Sequence, residues 1–170
     1  ISIGGENLID LVSGAAAANG LPQYVANPGG SPFNVAIAAG RQGQKVAYLT
    51  PVSEDALGAL LAERLLESKV TLAAGRVPHP TSLAVVSITD GIPSYAFHRN
   101  GTAERQVTKQ ALHNDMPAET KLFHVGSLGL IDGEDADVWE ALFADCRSRG
   151  IMTSLDPNVR PGLIADCDGY

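Results

Sequence analysis

Short apolar runs alternate with helical apolar stripes along this chain, and that alternation restricts its fold more than any other feature. Residues 1–4 (Ile-Ser-Ile-Gly) and 8–11 read together as a short apolar strand ending near a carboxylate, and residues 45–52, 70–73, 122–125 and 151–155 read as further strands. Between them, helices are predicted over 32–42, over 55–68 with Leu57, Leu60, Leu61 and Leu65 at helical spacing, near 109–113, and over 135–149 with Val138, Trp139, Leu142, Phe143 and Cys146 on one stripe. Strands separated by helices pair in parallel, because the crossover returns each one to the same end of the sheet. The expected fold class is therefore α/β, with a mostly parallel sheet flanked by helices on both faces.

Two segments interrupt this rhythm. Residues 83–89 and 95–98 are β-prone and flank Asp90-Gly91-Ile92-Pro93, a hairpin signal because Asp-Gly tolerates the positive φ of tight turns. This hairpin, within about residues 83–100, and the stretch of about residues 12–27, which holds a small-residue loop with four consecutive alanines, are expected to form a small β lid. Asn27-Pro28-Gly29-Gly30-Ser31-Pro32 then breaks the chain. Ser31 is placed as the N-cap of the next helix and Pro32 at its first helical position, where the missing N–H costs nothing; Gly43 ends it.

Composition excludes several classes. The 170 residues suit one domain, and 45% hydrophobic against 18% charged side chains gives enough apolar surface to bury. A net charge of -7, without any run of Lys or Arg, argues against nucleic acid or an anionic membrane as partner. Cys146 and Cys167 lack disulfide-framework or metal spacing and no apolar run reaches about 18 residues, so reduced thiols in a cytoplasmic chain are expected. G-x-G-x-x-G after a strand, G-x-x-x-x-G-K-[ST] and G-x-S-x-G are all missing, which disfavours dinucleotide-dependent redox chemistry, a P-loop and a serine nucleophile. His79, His98 and His113 have no ligand spacing, His124 reads as a core histidine and Trp139 as core, so no metal ligand is expected.

Asp10, Gly29-Gly30, Gly126-Ser127 and residues 156–160 each follow a predicted strand, where ligands bind in α/β folds. Gly29-Gly30-Ser31-Pro32-Phe33-Asn34 offers close backbone approach, free N–H groups at a helix start and an amide one turn inside. Such a loop can grip hydroxyls or an anion; taken alone it also fits a plain strand-to-helix turn.

Extended to Val35-Ala36 and followed by Gly43, this segment resembles the first signature of the ribokinase-like (PfkB) carbohydrate kinases. Gly5-Glu6-Asn7-Leu8-Ile9-Asp10, Val52-Ser53-Glu54-Asp55-Ala56-Leu57-Gly58, Phe97-His98-Arg99 with Gly101 and Ala103, and Asp156-Pro157-Asn158-Val159-Arg160-Pro161 match further family motifs in order. Ser53 stands where the family usually has a glycine, which puts that turn's geometry in question.

The resemblance implies transfer of the γ-phosphoryl group of ATP to a sugar hydroxyl with Mg²⁺, in the fructokinase and 2-keto-3-deoxygluconate kinase branch. It implies that Asp10, Gly30 and Asn34 hold sugar hydroxyls, with Gly29, Asp156 and Asn158 as further substrate contacts, Phe97 and Arg99 on the lid side, and Arg160 near the transferred phosphate. A polyol suits these types, since Asp10 accepts from hydroxyls while Asn34 both donates and accepts. The readings of Arg99 as partner of a carboxylate, and of Glu6 as structural or functional, stay open. The family's base comes from a Gly-Ala-Gly-Asp type motif, and this sequence contains none, so the chain is expected to be the N-terminal, sugar-binding portion of the kinase. A non-catalytic sugar-binding module is the alternative, and a homodimer through the lid is expected because exposed strand edges invite pairing.

Overall fold

The computed structural model describes residues 1–89, 92–159 and 163–164. The Asp90-Gly91 turn, Arg160, Pro161 and Cys167 lie outside the described residues. In chain order the elements begin β1 (Ser2–Gly5), β2 (Leu8–Ser13), β3 (Tyr24–Gly29), α1 (Ser31–Arg41), β4 (Val46–Tyr48), β5 (Val52–Ser53) and α2 (Ala56–Glu67). They continue as β6 (Val70–Leu72), β7 (Arg76–Val77), β8 (Leu83–Thr89), β9 (Ile92–His98), α3 (Lys109–Asp115), β10 (Leu122–Gly126), α4 (Glu134–Ser148) and β11 (Met152–Asp156), with 3₁₀ turns at Ala103–Arg105 and Ser127–Leu130.

A parallel five-stranded sheet in the order β11-β10-β1-β4-β6 forms the centre, as the alternating pattern predicts. Helices cover both faces. Phe33 and Ala36 of α1 and Leu61, Ala62 and Leu65 of α2 bury against Ile3, Val46, Tyr48 and Val70. On the opposite face Trp139 and Cys146 of α4 and Leu112 of α3 bury against Phe123 and Val125, with the Trp139 and Phe123 rings stacked at 6.3 Å. Each large side chain so buried contributes roughly 1.5–3 kcal/mol, which is what docks these helices firmly.

The N-terminal run is two strands rather than one, in two different sheets. Gly5, at φ +124°, turns the backbone out of the central sheet after β1, and the Thr50 hydroxyl fixes that exit by accepting from the Gly5 N–H (3.0 Å) and donating to its carbonyl (2.6 Å). β2 then joins a second sheet, β3-β2-β8-β9, in which β2 pairs antiparallel with β3 and parallel with β8. The expected hairpin is present as antiparallel β8 and β9, and it is half of this larger sheet.

The run at 45–52 also divides. β4 stays in the central sheet, and beyond Pro51, which has no N–H for a ladder, β5 pairs with β7 in a small separate sheet. Ser53 ends β5 without a positive φ, and its hydroxyl accepts from the Asp55 N–H at 3.0 Å, so serine satisfies the turn in place of glycine.

Asp55 is the N-cap of α2. Its Oδ1 accepts from the Gly58 N–H (2.7 Å) and the Thr81 hydroxyl (2.6 Å), and its Oδ2 from the Thr81 N–H (2.8 Å). Burial pushes this carboxyl up, but those hydrogen bonds outweigh it and hold it at about 2. A depressed pKa means the stabilisation is complete above the ordinary value of 3.8 and is lost as pH falls toward 2. Asp55→Ala is expected to cost about 1–2 kcal/mol at neutral pH and progressively less in acid; urea unfolding at a series of pH values checks this, and a cost independent of pH down to the folded-state midpoint would contradict it.

Candidate functional site

Strand register brings the first candidates together. Asp10 lies opposite Ala84 across the β2–β8 pair, and Ala84 opposite Phe97 across the β8–β9 pair, so the three occupy one row on one face of the second sheet. Ala84 is fully buried and small, which leaves space above it. The next row carries Val12, Val86 and Tyr95, and the Tyr95 and Phe97 rings stack at 5.9 Å with 10° between their planes.

That face opens onto a cavity of about 510 Å³, closed on its other sides by Gly30, Ser31 and Asn34 of the α1 start and by Ser127, Leu128 and Asn158. Asp10 stands at its wall, half-buried in the middle of β2 rather than at a strand end. Burial pushes its carboxyl above the usual carboxylate range, and it accepts no hydrogen bond from any described residue. Gly29 backs directly on Asp10, and any side chain there would collide with the carboxylate. Asn34 is exposed on the first turn of α1 and faces the same space.

The helix start differs from the expected cap. Gly30 is the N-cap, at φ 113° and ψ 135°, and Ser31 is the first helical residue. The reason is a carboxylate from the β1–β2 connection: Glu6 Oε1 accepts from the Ser31 N–H at 2.8 Å and so takes over the role expected of the serine hydroxyl. Glu6 Oε2 accepts from the Gly129 N–H at 3.4 Å. Only 2% exposed, Glu6 is pushed up to about 7 by desolvation, partly opposed by the bond from the Ser31 N–H.

The β10 and β11 ends supply the third wall. Asn158, at φ 42°, is held by its N–H to Asp156 Oδ1 (3.0 Å), and its amide donates to Ser127 Oγ (3.2 Å). Asp156 is exposed and orients Asn158 without lining the cavity itself. Arg99 is likewise not part of the lining: its Nε and Nη2 donate to the two oxygens of Glu104 at 2.8 and 3.1 Å, and its Nη1 to the Leu128 carbonyl at 2.9 Å. Arg99 thus ties the β9 end to the turn that carries Leu128.

Of the residues singled out from the sequence, Asp10, Gly30, Asn34, Phe97 and Asn158 line one cavity, Gly29 and Asp156 support it from behind, and Arg160 is outside the described residues. Glu6, Ser127 and Tyr95 line it too. Tyr95 carries a visible signal, two residues before Phe97 on one strand face; Ser127 follows a predicted strand, where ligands bind in such folds, and Glu6, open between structural and functional roles in the sequence, depends on how separate strands meet. A larger cavity of about 710 Å³ between α4 and β11, lined by Val125, Leu130, Phe143 and Leu155 among others, collects no proposed substrate contact.

Carboxylate, amide and hydroxyl groups beside stacked aromatic rings suit a neutral polyol, whose hydroxyls need acceptors and whose C–H faces pack on rings. Two carboxylates at the same wall repel phosphate. No cluster of three or more His, Cys, Asp or Glu able to hold a metal ion occurs among the described residues, and none of their helices is long and apolar enough to cross a membrane.

Comparison with known proteins agrees with this architecture. Residues 5–169 match the model of the pfkB family carbohydrate kinases. The fructokinase of Rhizobium leguminosarum bv. trifolii is 36% identical over 165 residues, covering 95% of this chain and 49% of that protein. The crystal structure of fructokinase with bound ATP from Xylella fastidiosa superposes with a TM-score of 0.87 at 26% identity, over 99% of this chain and 54% of that one. The fructokinase of Vibrio cholerae O395 in its fructose-, ADP- and calcium-ion-bound form superposes with a TM-score of 0.77 at 25% identity, over 96% and 52%. The chain spans about half the length of the curated relatives it matches. With a family match over nearly its whole length and a ribokinase-like sheet to carry it, the chain belongs to the pfkB family of carbohydrate kinases.

Proposed function

We propose that this chain forms the sugar-binding side of a kinase that moves the γ-phosphoryl group of ATP to a hydroxyl of fructose. The observation that carries the reading is Asp10: a half-buried carboxylate with no hydrogen-bond donor among the described residues, beside the Tyr95–Phe97 stack and the amides of Asn34 and Asn158. A half-buried carboxylate with no protein donor keeps its acceptor sites open to a ligand that brings hydroxyl donors. In this reading residues 12–27 and 83–100 act as the lid, and Arg160 reaches toward the transferred phosphate. Fructose is favoured over 2-keto-3-deoxygluconate because Asp10 at the wall repels a substrate carboxylate and, among the described residues, no Lys, Arg or His lines the cavity to offset it.

The described residues do not fit ATP, whose phosphates the acidic cavity wall repels, and no group of three or more His, Cys, Asp or Glu that could hold Mg²⁺ occurs among them. The reading assigns nucleotide, Mg²⁺ and catalytic base to other parts of the protein. A cytoplasmic homodimer paired through the lid, where β9 is the hairpin's edge strand, completes it; sedimentation of the full-length protein as a monomer at high concentration would remove the dimer.

The test is fructose binding and ADP release by the full-length protein. Asp10→Ala is expected to weaken fructose binding by about 10- to 100-fold, the worth of one or two hydrogen bonds to a charged acceptor. Its thermal midpoint should stay close to that of the parent, because no described residue loses a hydrogen bond. Unchanged affinity in calorimetry would overturn the reading of Asp10, and no binding by the parent would overturn fructose as the substrate.

A further inference from the structure

We propose that Glu6 is a positioning residue, a clasp whose two carboxylate oxygens hold the first turn of α1 and the Ser127–Leu130 turn at the separation the sugar needs. The inference rests on the sugar-binding reading and adds to it a residue that sets the pocket's width. Glu6 joins backbone to backbone: Oε1 takes the Ser31 N–H and Oε2 the Gly129 N–H, so one side chain spans two walls that no strand pairing connects. Its own main chain is pinned from below, since the Tyr48 hydroxyl donates to the Glu6 carbonyl at 3.1 Å. The clasp is also tightly enclosed, because a Cβ at Gly30 would come within 2.6 Å of the Glu6 carbonyl oxygen, and one at Gly129 within 2.9 Å of the Gly5 Cα.

Only an ionised carboxylate does this fully. Two N–H donors approach the two oxygens, with the Ser127 hydroxyl beside them, and a carboxylate accepts on both, whereas Gln accepts on one and turns its NH₂ toward the other donor. The neutral acid carries a hydroxyl that must itself donate, which loosens one arm in the same way. Burial holds Glu6 at about 7, so the clasp closes as pH rises through neutrality.

Among the described residues the cation whose field reaches Glu6 is Arg99, and its guanidinium donors are taken by Glu104 and the Leu128 carbonyl. Asp10 of β2 and Glu104 of the Ala103–Arg105 turn are acidic, and Tyr48 of β4 is buried and its own pKa pushed upward. The first turn of α1 brings no acidic side chain, and Ser127–Leu130 carries no charge.

The experiment uses the full-length protein, wild type and Glu6→Gln, with fructose as probe. For wild type, calorimetry should give tighter fructose binding at pH about 8 than at about 6, by severalfold. For Glu6→Gln it should give binding weaker by about tenfold at the higher pH, the worth of one hydrogen bond, with the pH dependence flattened although Asp10 is retained. In ADP-release assays the loss should fall more heavily on KM for fructose than on kcat, the split expected of a residue that sets pocket width. Equal affinity and equal pH profile in the two proteins would overturn the clasp.

A second measurement needs neither a variant nor a sugar. The amide protons of Ser31 and Gly129 in the ligand-free wild type should shift together, with one midpoint near neutrality, in NMR spectra across pH. Independent or absent titration of the two amides would overturn the clasp even if Glu6→Gln fails to fold. Joint titration without any fructose binding by the wild type would instead overturn the sugar reading, and with it the role of Glu6 in sugar affinity.

Discussion

Arg99→Ala is expected to destabilise the protein by about 3–5 kcal/mol, the range for removing one partner of a buried ion pair. Arg99 and Glu104 side chains are 10% and 1% exposed, and the fork geometry is bidentate at 2.8 and 3.1 Å. Removing the guanidinium strands the Glu104 carboxylate where water cannot reach it, with only the Ser82 hydroxyl (2.9 Å) and a long contact from Thr102 (3.5 Å) remaining. It also releases the Leu128 carbonyl, which Arg99 holds at 2.9 Å. Chemical unfolding of Arg99→Ala and of Arg99→Ala with Glu104→Gln separates the two effects: neutralising the stranded carboxylate should return a substantial part of the loss. A single variant with parent stability and weakened fructose binding would show instead that Arg99 leaves Glu104 to touch the sugar.

Gly30→Ala is expected to cost about 2–5 kcal/mol. An L residue at positive φ costs roughly 1–2 kcal/mol, and Gly30 sits at φ 113°. The new Cβ would also lie 2.6 Å from the Glu6 carbonyl oxygen and 3.2 Å from the Asn7 Cα, and neither backbone atom can rotate away; overpacking of this kind adds about 1–3 kcal/mol. Relief requires the α1 start to move off the β1–β2 connection, which stretches the Glu6 to Ser31 bond and widens the pocket. Thermal unfolding and fructose calorimetry should therefore fall together, in contrast to Asp10→Ala, where affinity alone is lost. A Gly30→Ala protein with parent midpoint would show that the backbone here relaxes freely.

How much of this was legible beforehand varies by the kind of interaction. The central sheet and its helices follow from periodicity, because burial repeats at 2.0 and 3.6 residues and each stripe needs only a neighbour of the same kind. The helical stripe of Trp139 and Cys146, for example, is buried as its spacing predicts. Splits at Gly5 and Pro51 were not legible as changes of sheet, since one apolar residue looks the same whichever sheet receives it. The alternation also hid the second sheet: β2 and β3 flank a run of small residues whose composition says loop, while the pairing of β2 with β8 is long-range.

For the site, the sequence by itself determined the residue types and their order: a carboxylate at Asp10, the Gly29-Gly30 approach, amides at Asn34 and Asn158, the ring at Phe97, and the family these motifs belong to. Local chemistry is enough for that, because each motif is a short stretch whose backbone and donors act within a few residues. Tertiary structure decided which of them meet. Register across three strands set Asp10 and Phe97 on one face, an ion pair with Glu104 drew Arg99 out of the lining, and Glu6 took the cap of α1 from 25 residues away. Those outcomes depend on distances between segments far apart in the chain, and a buried charge takes whichever partner the packed core brings within about 3 Å, a choice that exists only once the chain has folded.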